Sequence, residues 1–100
     1  MEFELKALSP EAVPRTLAKA ERYRLLNEPG EAESICLDVL DIEPDNQEAL
    51  VMLLLALTEQ FHENAPRLAE AWATLPRLRD DYERAYYTGI VYEQIGRAHV

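Results

Sequence analysis

Four groups of residues in this chain could carry chemistry, and their spacing argues against it in each case. Cys36 is the only cysteine. A reactive thiol needs a neighbouring base or cation to ionise it, and a structural zinc site or disulfide needs further sulfurs. Neither His62 nor His99 stands near Cys36 in the sequence, whereas Ala32, Ile35 and Val39 share helical spacing with it. A small buried hydrophobe is therefore expected. His62-Glu63-Asn64 opens like a helical zinc site, but such a site needs a second histidine four residues on, and that position is Pro66. His62 is expected at a helix end instead, where its cationic form meets the negative pole. The acid pairs Asp80-Asp81 and Asp41/Glu43 could serve general acid–base catalysis. They fall at helix junctions, where carboxylates meet free N–H groups. Arg67, Arg77, Arg79 and Arg84 could cradle a phosphate, but Glu70, Asp80, Asp81 and Glu83 lie among them. No catalytic residue, metal ligand set or cofactor site is expected, and the chain is not read as an enzyme.

Bulk charge narrows the partners. The formal net charge is −9, from 19 acids against 10 bases. Nucleic-acid phosphates require a basic stripe, and anionic membrane surfaces attract cations, so both are disfavoured. Basic or apolar protein partners remain. Met1-Glu2-Phe3-Glu4-Leu5 lacks the basic and apolar regions of a signal peptide. The apolar run Ala49 to Leu57 has nine residues, against the roughly 20 that span a bilayer. A soluble, cytoplasmic chain is expected.

The elements that must position these residues are helices. Residues 1–9 form a lead-in, and 10–100 a single domain. Ser9-Pro10 signals a helix start, and Val13, Leu17 and Ala20 give it a stripe to about Leu26. Asn27-Glu28-Pro29-Gly30 breaks it, and a second helix from about Glu31 buries Ala32, Ile35, Val39 and Leu40 and stops before Pro44. Asp45 with Glu48 three residues on forms a capping box for a third helix, about Asn46 to His62. Being apolar all round, this helix should be covered on several sides. Asn64 caps a fourth, with Leu68, Trp72 and Leu75 on one face and Pro76 near its end. Asp80 and Glu83 repeat the capping box for a fifth, from Asp81 to about Ile95, where Gly96-Arg97-Ala98-His99-Val100 turns and stops.

The helices repeat. Ala20 and Tyr23 recur as Leu54 and Leu57 after 34 residues, and as Gly89 and Tyr92 after a further 35. The turn Glu43-Pro44-Asp45-Asn46-Gln47-Glu48 returns as Arg79-Asp80-Asp81-Tyr82-Glu83. A period just over thirty indicates stacked helical hairpins, each unable to bury its apolar face alone. In the last copy Gly89, Tyr92 and Gly96 stand in register. In the first, Ala20, Tyr23, Ala32 and Pro44 do. On these residues the chain resembles the tetratricopeptide repeat family. The likeness implies an all-α fold of antiparallel helix-turn-helix hairpins stacked as a right-handed superhelix, an α-solenoid fragment. Repeat one would cover about 13–46, repeat two about 47–81, and a partial third 82–100. The small residues Ala20 and Gly89 would let the helices of a hairpin approach closely.

The resemblance also implies a use. In that family the first helices of successive repeats line a concave groove that grips a peptide or partner helix. By register its residues here are Leu17, Glu21, Arg24 and Leu25, then Val51, Leu55, Thr58 and Glu59, then Tyr86, Ile90 and Glu93. An apolar floor rimmed by acids predicts a protein or peptide ligand with apolar anchors and nearby basic residues. The carboxylate clamp of one branch of the family needs donors where Leu17, Val51 and Leu55 stand, and Arg24 is expected to pair with Glu21 at i, i+3. A clamp is therefore not expected. The alternative use is structural: homodimerisation through the groove or the terminal helix, with Tyr87 and Val91 as candidates for self-association.

Overall fold

Each helix boundary follows from a residue that caps or interrupts the backbone. The computed structural model describes residues 8–60 and 66–98, and the described residues are helical with short connections and no strand. A 3₁₀ turn, Pro10–Ala12, leads into α1, Val13–Leu25. The Ser9 hydroxyl makes no capping bond; its carbonyl accepts from the Ala12 N–H at 3.0 Å instead. Pro14 lies in the first turn of α1, where its missing donor costs nothing. The helix closes on Asn27 in the left-handed region, at φ 62°. The Asn27 N–H donates to the Arg24 carbonyl at 3.0 Å and the Glu28 N–H to the Tyr23 carbonyl at 2.9 Å. That pair of bonds is the Schellman motif, and asparagine is among the few non-glycine residues that tolerate its conformation.

Helix α2, Pro29–Ile42, begins two residues before the expected Glu31, because a proline at the first position gives up no hydrogen bond. Helix α3, Gln47–Thr58, corrects the assigned cap. The Asn46 side chain, not Asp45, accepts from the Ala49 N–H at 2.9 Å, while its Nδ2 donates to Glu43 at 2.8 Å. The helix ends at Thr58 rather than His62. The expected cap Asn64, the His62-Glu63-Asn64 motif, His99 and most of the lead-in lie outside the described residues. Helix α4, Pro66–Thr74, runs into a 3₁₀ turn, Leu75–Arg77, that accommodates Pro76. In α5, Asp81–Ala98, the Glu83 N–H donates to the Asp80 carboxylate at 3.1 Å as the capping pattern predicts. The expected stop after Ile95 does not occur. Helix α5 carries on through Gly96, since a single glycine weakens a helix by about 1 kcal/mol without ending it.

Helix α1 packs on α2, α2 on α3 and α3 on α4, while α3 in addition touches α1 and α5, and α5 meets the 3₁₀ turn that follows α4. The odd-numbered helices thus form one side of an elongated body, 52 × 29 × 21 Å. One continuous core joins Leu17 and Ala20 of α1, Ala32, Cys36, Val39 and Leu40 of α2, and Leu50, Leu53, Leu54 and Leu57 of α3 to Ala71, Leu75, Leu78 and Val91. Helix α3 is buried on several faces, as its composition requires. Ile35 and Trp72, expected inside, are half-buried at the core's margin. Gly89 is exposed, and a Cβ placed on it would meet nothing within 4 Å, so no close helix approach occurs there.

Polar ties hold the two ends of α3. At its start, Gln47 Oε1 accepts from the Arg79 N–H at 2.9 Å, and Arg77 and Arg79 donate to the carbonyls of Pro44 and Asp45 at 2.8 and 3.1 Å. These arginines, which sequence leaves as a neutralised surface cluster, fasten one turn to the next, 33 and 34 residues away. At its end, Gln60 Nε2 donates to the buried Glu33 carboxylate at 2.9 Å. Arg67 Nε lies 3.2 Å from the same carboxylate, close enough for charge attraction but not aligned as a hydrogen bond.

Candidate partner-binding face

Residues in equivalent register on α1, α3 and α5 form three short rows across the odd-helix side: Leu17, Val51 and Tyr86; Glu21, Leu55 and Ile90; Arg24, Thr58 and Glu93. Val51, Leu55 and Ile90 are half-buried, and Glu21, Tyr86 and Glu93 are exposed. Leu25 stands out from the end of α1, with 72 % of its surface exposed. Together these make a partly open apolar strip with acids beside it. Two expected lining residues do not contribute. Leu17 is buried in the core where α1 meets its neighbours. Thr58 is buried too, its hydroxyl donating to the Leu55 carbonyl at 2.8 Å in the last turn of α3.

Arg24 is the organising charge of this face. Its Nε lies 3.1 and 3.2 Å from the two carboxylate oxygens of Glu59, and Nη1 is 3.8 Å from the Met52 sulfur. Its partner is therefore Glu59, the residue that closes α3, and not Glu21, one turn away on α1. A guanidinium reaching across two helices gains an alignment that an i, i+3 pair on one helix surface does not offer. Tyr87 of α5 feels this cation as well. Burial, then Glu83 and Tyr86, raise its phenol pKa above the ordinary value, while Arg24 opposes them. Tyr87 packs edge-on to Tyr86, with ring centroids 5.0 Å apart.

The two candidates for self-association fall on the inner side of α5. Val91 is fully buried, and Tyr87 is half-buried against the core. Val91 therefore offers no surface, whereas Tyr87 keeps part of its ring open. The apolar groups that α5 does expose are Tyr82, Tyr86 and Tyr92.

Cys36 is buried on α2, with its thiol pKa pushed up to about 12 by burial, and by Glu33 beside it. Among the described residues, no group of three or more His, Cys, Asp or Glu side chains could hold a metal ion, and no helix is long and apolar enough to cross a membrane. A shallow depression of about 230 Å³ lies beside α1, lined by Lys19, Arg22, Tyr23 and Leu26. The Lys19 ammonium sits 6.0 Å over the Tyr23 ring there. Sequence reasoning passed over this feature and the Arg24–Glu59 pair. Residues 35 apart that meet only through tertiary packing carry no local signal. No protein-family model matches the chain, and comparisons with curated proteins and with solved structures find no match.

Proposed function

We propose that the protein is a non-catalytic interaction module that takes up a peptide or partner helix on its odd-helix face. The observation that carries this reading is the strip of Val51, Leu55 and Ile90, left half-open on the odd-helix side while Leu50, Leu53, Leu54 and Leu57 of the same α3 are buried. Half-open aliphatic side chains on a rigid scaffold favour contact with another apolar surface. The neighbouring Glu21 and Glu93 carboxylates, on a chain of net charge −9, favour a ligand with lysine or arginine beside its anchors. A helix laid in the strip would set residues at i, i+3 or i+4 and i+7 against it.

The proposal extends to the architecture. The odd helices touch along one side, and the turns before α3 and α5 are joined at a spacing of 33 and 34 residues. Both features support a tetratricopeptide-like stack of about two and a half hairpins. Partner capture needs no cofactor.

The test is Leu55→Glu, screened with the wild type against a library of basic amphipathic peptides. A carboxylate in the strip should abolish capture of peptides the wild type holds, while helical circular dichroism and thermal melting stay close to wild type. Undiminished capture by the variant would remove the strip as the binding site.

A further inference from the structure

Helix α1 carries a charge opposite to that of the chain. It holds four bases, Arg15, Lys19, Arg22 and Arg24, against the one acid Glu21, whereas the whole chain has a net charge of −9. Arg24 is taken up by Glu59. The other three stand at i, i+4 and i+7, a spacing that sets them in one row on the side of the helix opposite the buried Val13, Leu17 and Ala20. All three are exposed. Elsewhere the arginines are engaged. Arg67 pairs with Glu70 and Arg84 with Asp81, while Arg77 and Arg79 donate to the carbonyls of Pro44 and Asp45. Arg15 and Arg22 reach no carboxylate or carbonyl among the described residues, and Lys19 meets only the Tyr23 ring. Leu26 follows Arg22 by four residues and so ends the same row, with 70 % of its surface exposed. Beside it lies the depression of about 230 Å³ lined by Lys19, Arg22, Tyr23 and Leu26.

We infer that this row is a second docking site, and that its occupant is an acidic amphipathic helix of another protein. One apolar side chain of that helix enters the depression, and its carboxylates lie along Arg22, Lys19 and Arg15. None of these residues belongs to the strip proposed above, and the sign of the ligand is reversed. Charge complementarity selects it: three cations left without an anion on an otherwise acidic chain favour carboxylates. The depression is smaller than the roughly 300–1,000 Å³ of small-molecule sites, so it suits a single anchoring side chain. Tyr23 and Leu26 give that anchor an apolar wall, which a bare phosphate would not use. A nucleic acid or an anionic membrane extends far beyond the Debye length of about 8 Å and would meet the acids of the rest of the chain. A helix lying on α1 touches the row alone. From Arg15 to Leu26 the row spans roughly 16 Å, at about 1.5 Å per residue. An antiparallel ligand helix therefore carries its anchor at i and its glutamates at i+4, i+7 and i+11. With both sites occupied, the protein bridges a basic partner and an acidic one.

The test is fluorescence anisotropy of a labelled alanine-based peptide of about 18 residues, long enough to hold a helix, with a leucine anchor and glutamates at those three positions. The expected result is saturable binding. Lys19→Gln combined with Arg22→Gln should weaken it about tenfold, and Leu26→Ala should weaken it as well. Glutamine is as good a helix former as lysine or arginine, so circular dichroism should not change. Ser34→Glu combined with Ala73→Glu lowers the net charge by the same amount at exposed sites on α2 and α4, and should leave binding within about twofold. Leu55→Glu should bind the acidic peptide as the wild type does, so failure of the strip and failure of this row read separately. No saturation at about 1 mM protein overturns the proposal. So does an equal loss in the Ser34 and Ala73 pair, or equal binding of a peptide of the same composition in scrambled order. An oligonucleotide or an anionic phospholipid vesicle that binds more tightly than the peptide, and is released by Lys19→Gln with Arg22→Gln, reassigns the row to phosphate and overturns it too.

Discussion

A thiol held among Ala32, Val39 and the helices on either side has little water to support its anion. Cys36 accordingly stays protonated through neutral pH, and thiol reagents should label it only as fast as the fold opens. The same shift predicts an alkaline limit to stability. The folded chain keeps its proton up to about 12, whereas the unfolded chain releases it near 9.0. The native state therefore holds more protons across that window, and stability falls as pH rises through it. At about 1.4 kcal/mol per pKa unit the loss amounts to a few kcal/mol at the upper end. Denaturant melts at stepped alkaline pH should show the decline, and Cys36→Ala should flatten it. The inward position of Cys36 was legible because spacing within one helix reports which side chains share a face. The partner of Arg24 was not. Within α1 the sole acid at ion-pair spacing is Glu21, and nothing local points to Glu59.

At the scale of the element, the turn before α3 contains two adjacent caps of nearly equal quality. Asp45 has a glutamate three residues on, which favours it by pattern. Asn46 has Ala49 there, yet it takes the extended backbone of a cap, at φ −61° and ψ 108°, and its side chain accepts from the Ala49 N–H. Asn46→Ala should thus cost about 1 kcal/mol, and Asp45→Ala no more than a few tenths, as thermal melts of the two variants would report. The reverse order would return the cap to Asp45. Helix positions and types were readable from stripes and punctuation. Boundaries moved where two signals competed, at Pro29, where the helix begins at the proline itself, and at Gly96, where one glycine is too weak to end a helix already supported by packing.

For the whole molecule, the central prediction concerns the core shared by all the helices. Leu40→Ala and Leu53→Ala each truncate a buried side chain by an isopropyl group, and each should cost about 2–5 kcal/mol in chemical denaturation. A domain of this size commonly has about 5–15 kcal/mol in hand, so either change approaches the limit of folding. The all-helical class was legible in the sequence, because caps and stripes recur throughout. Depth was not. Register makes Leu17, Val51 and Tyr86 equivalent, but burial is set by how many neighbours each helix has, and the three residues run from closed to open along the stack. Helix α3, greasy on nearly every side, has almost no intrinsic preference for which flank turns outward, since hydrophobic contact is non-directional. Its azimuth is keyed instead by the hydrogen bonds at its two ends, Gln47 to the Arg79 amide and Gln60 to Glu33. Those bonds act like the teeth of a spline, stopping a smooth shaft from spinning in its sleeve, and they decide that Val51 and Leu55 look out while Leu50 and Leu54 look in.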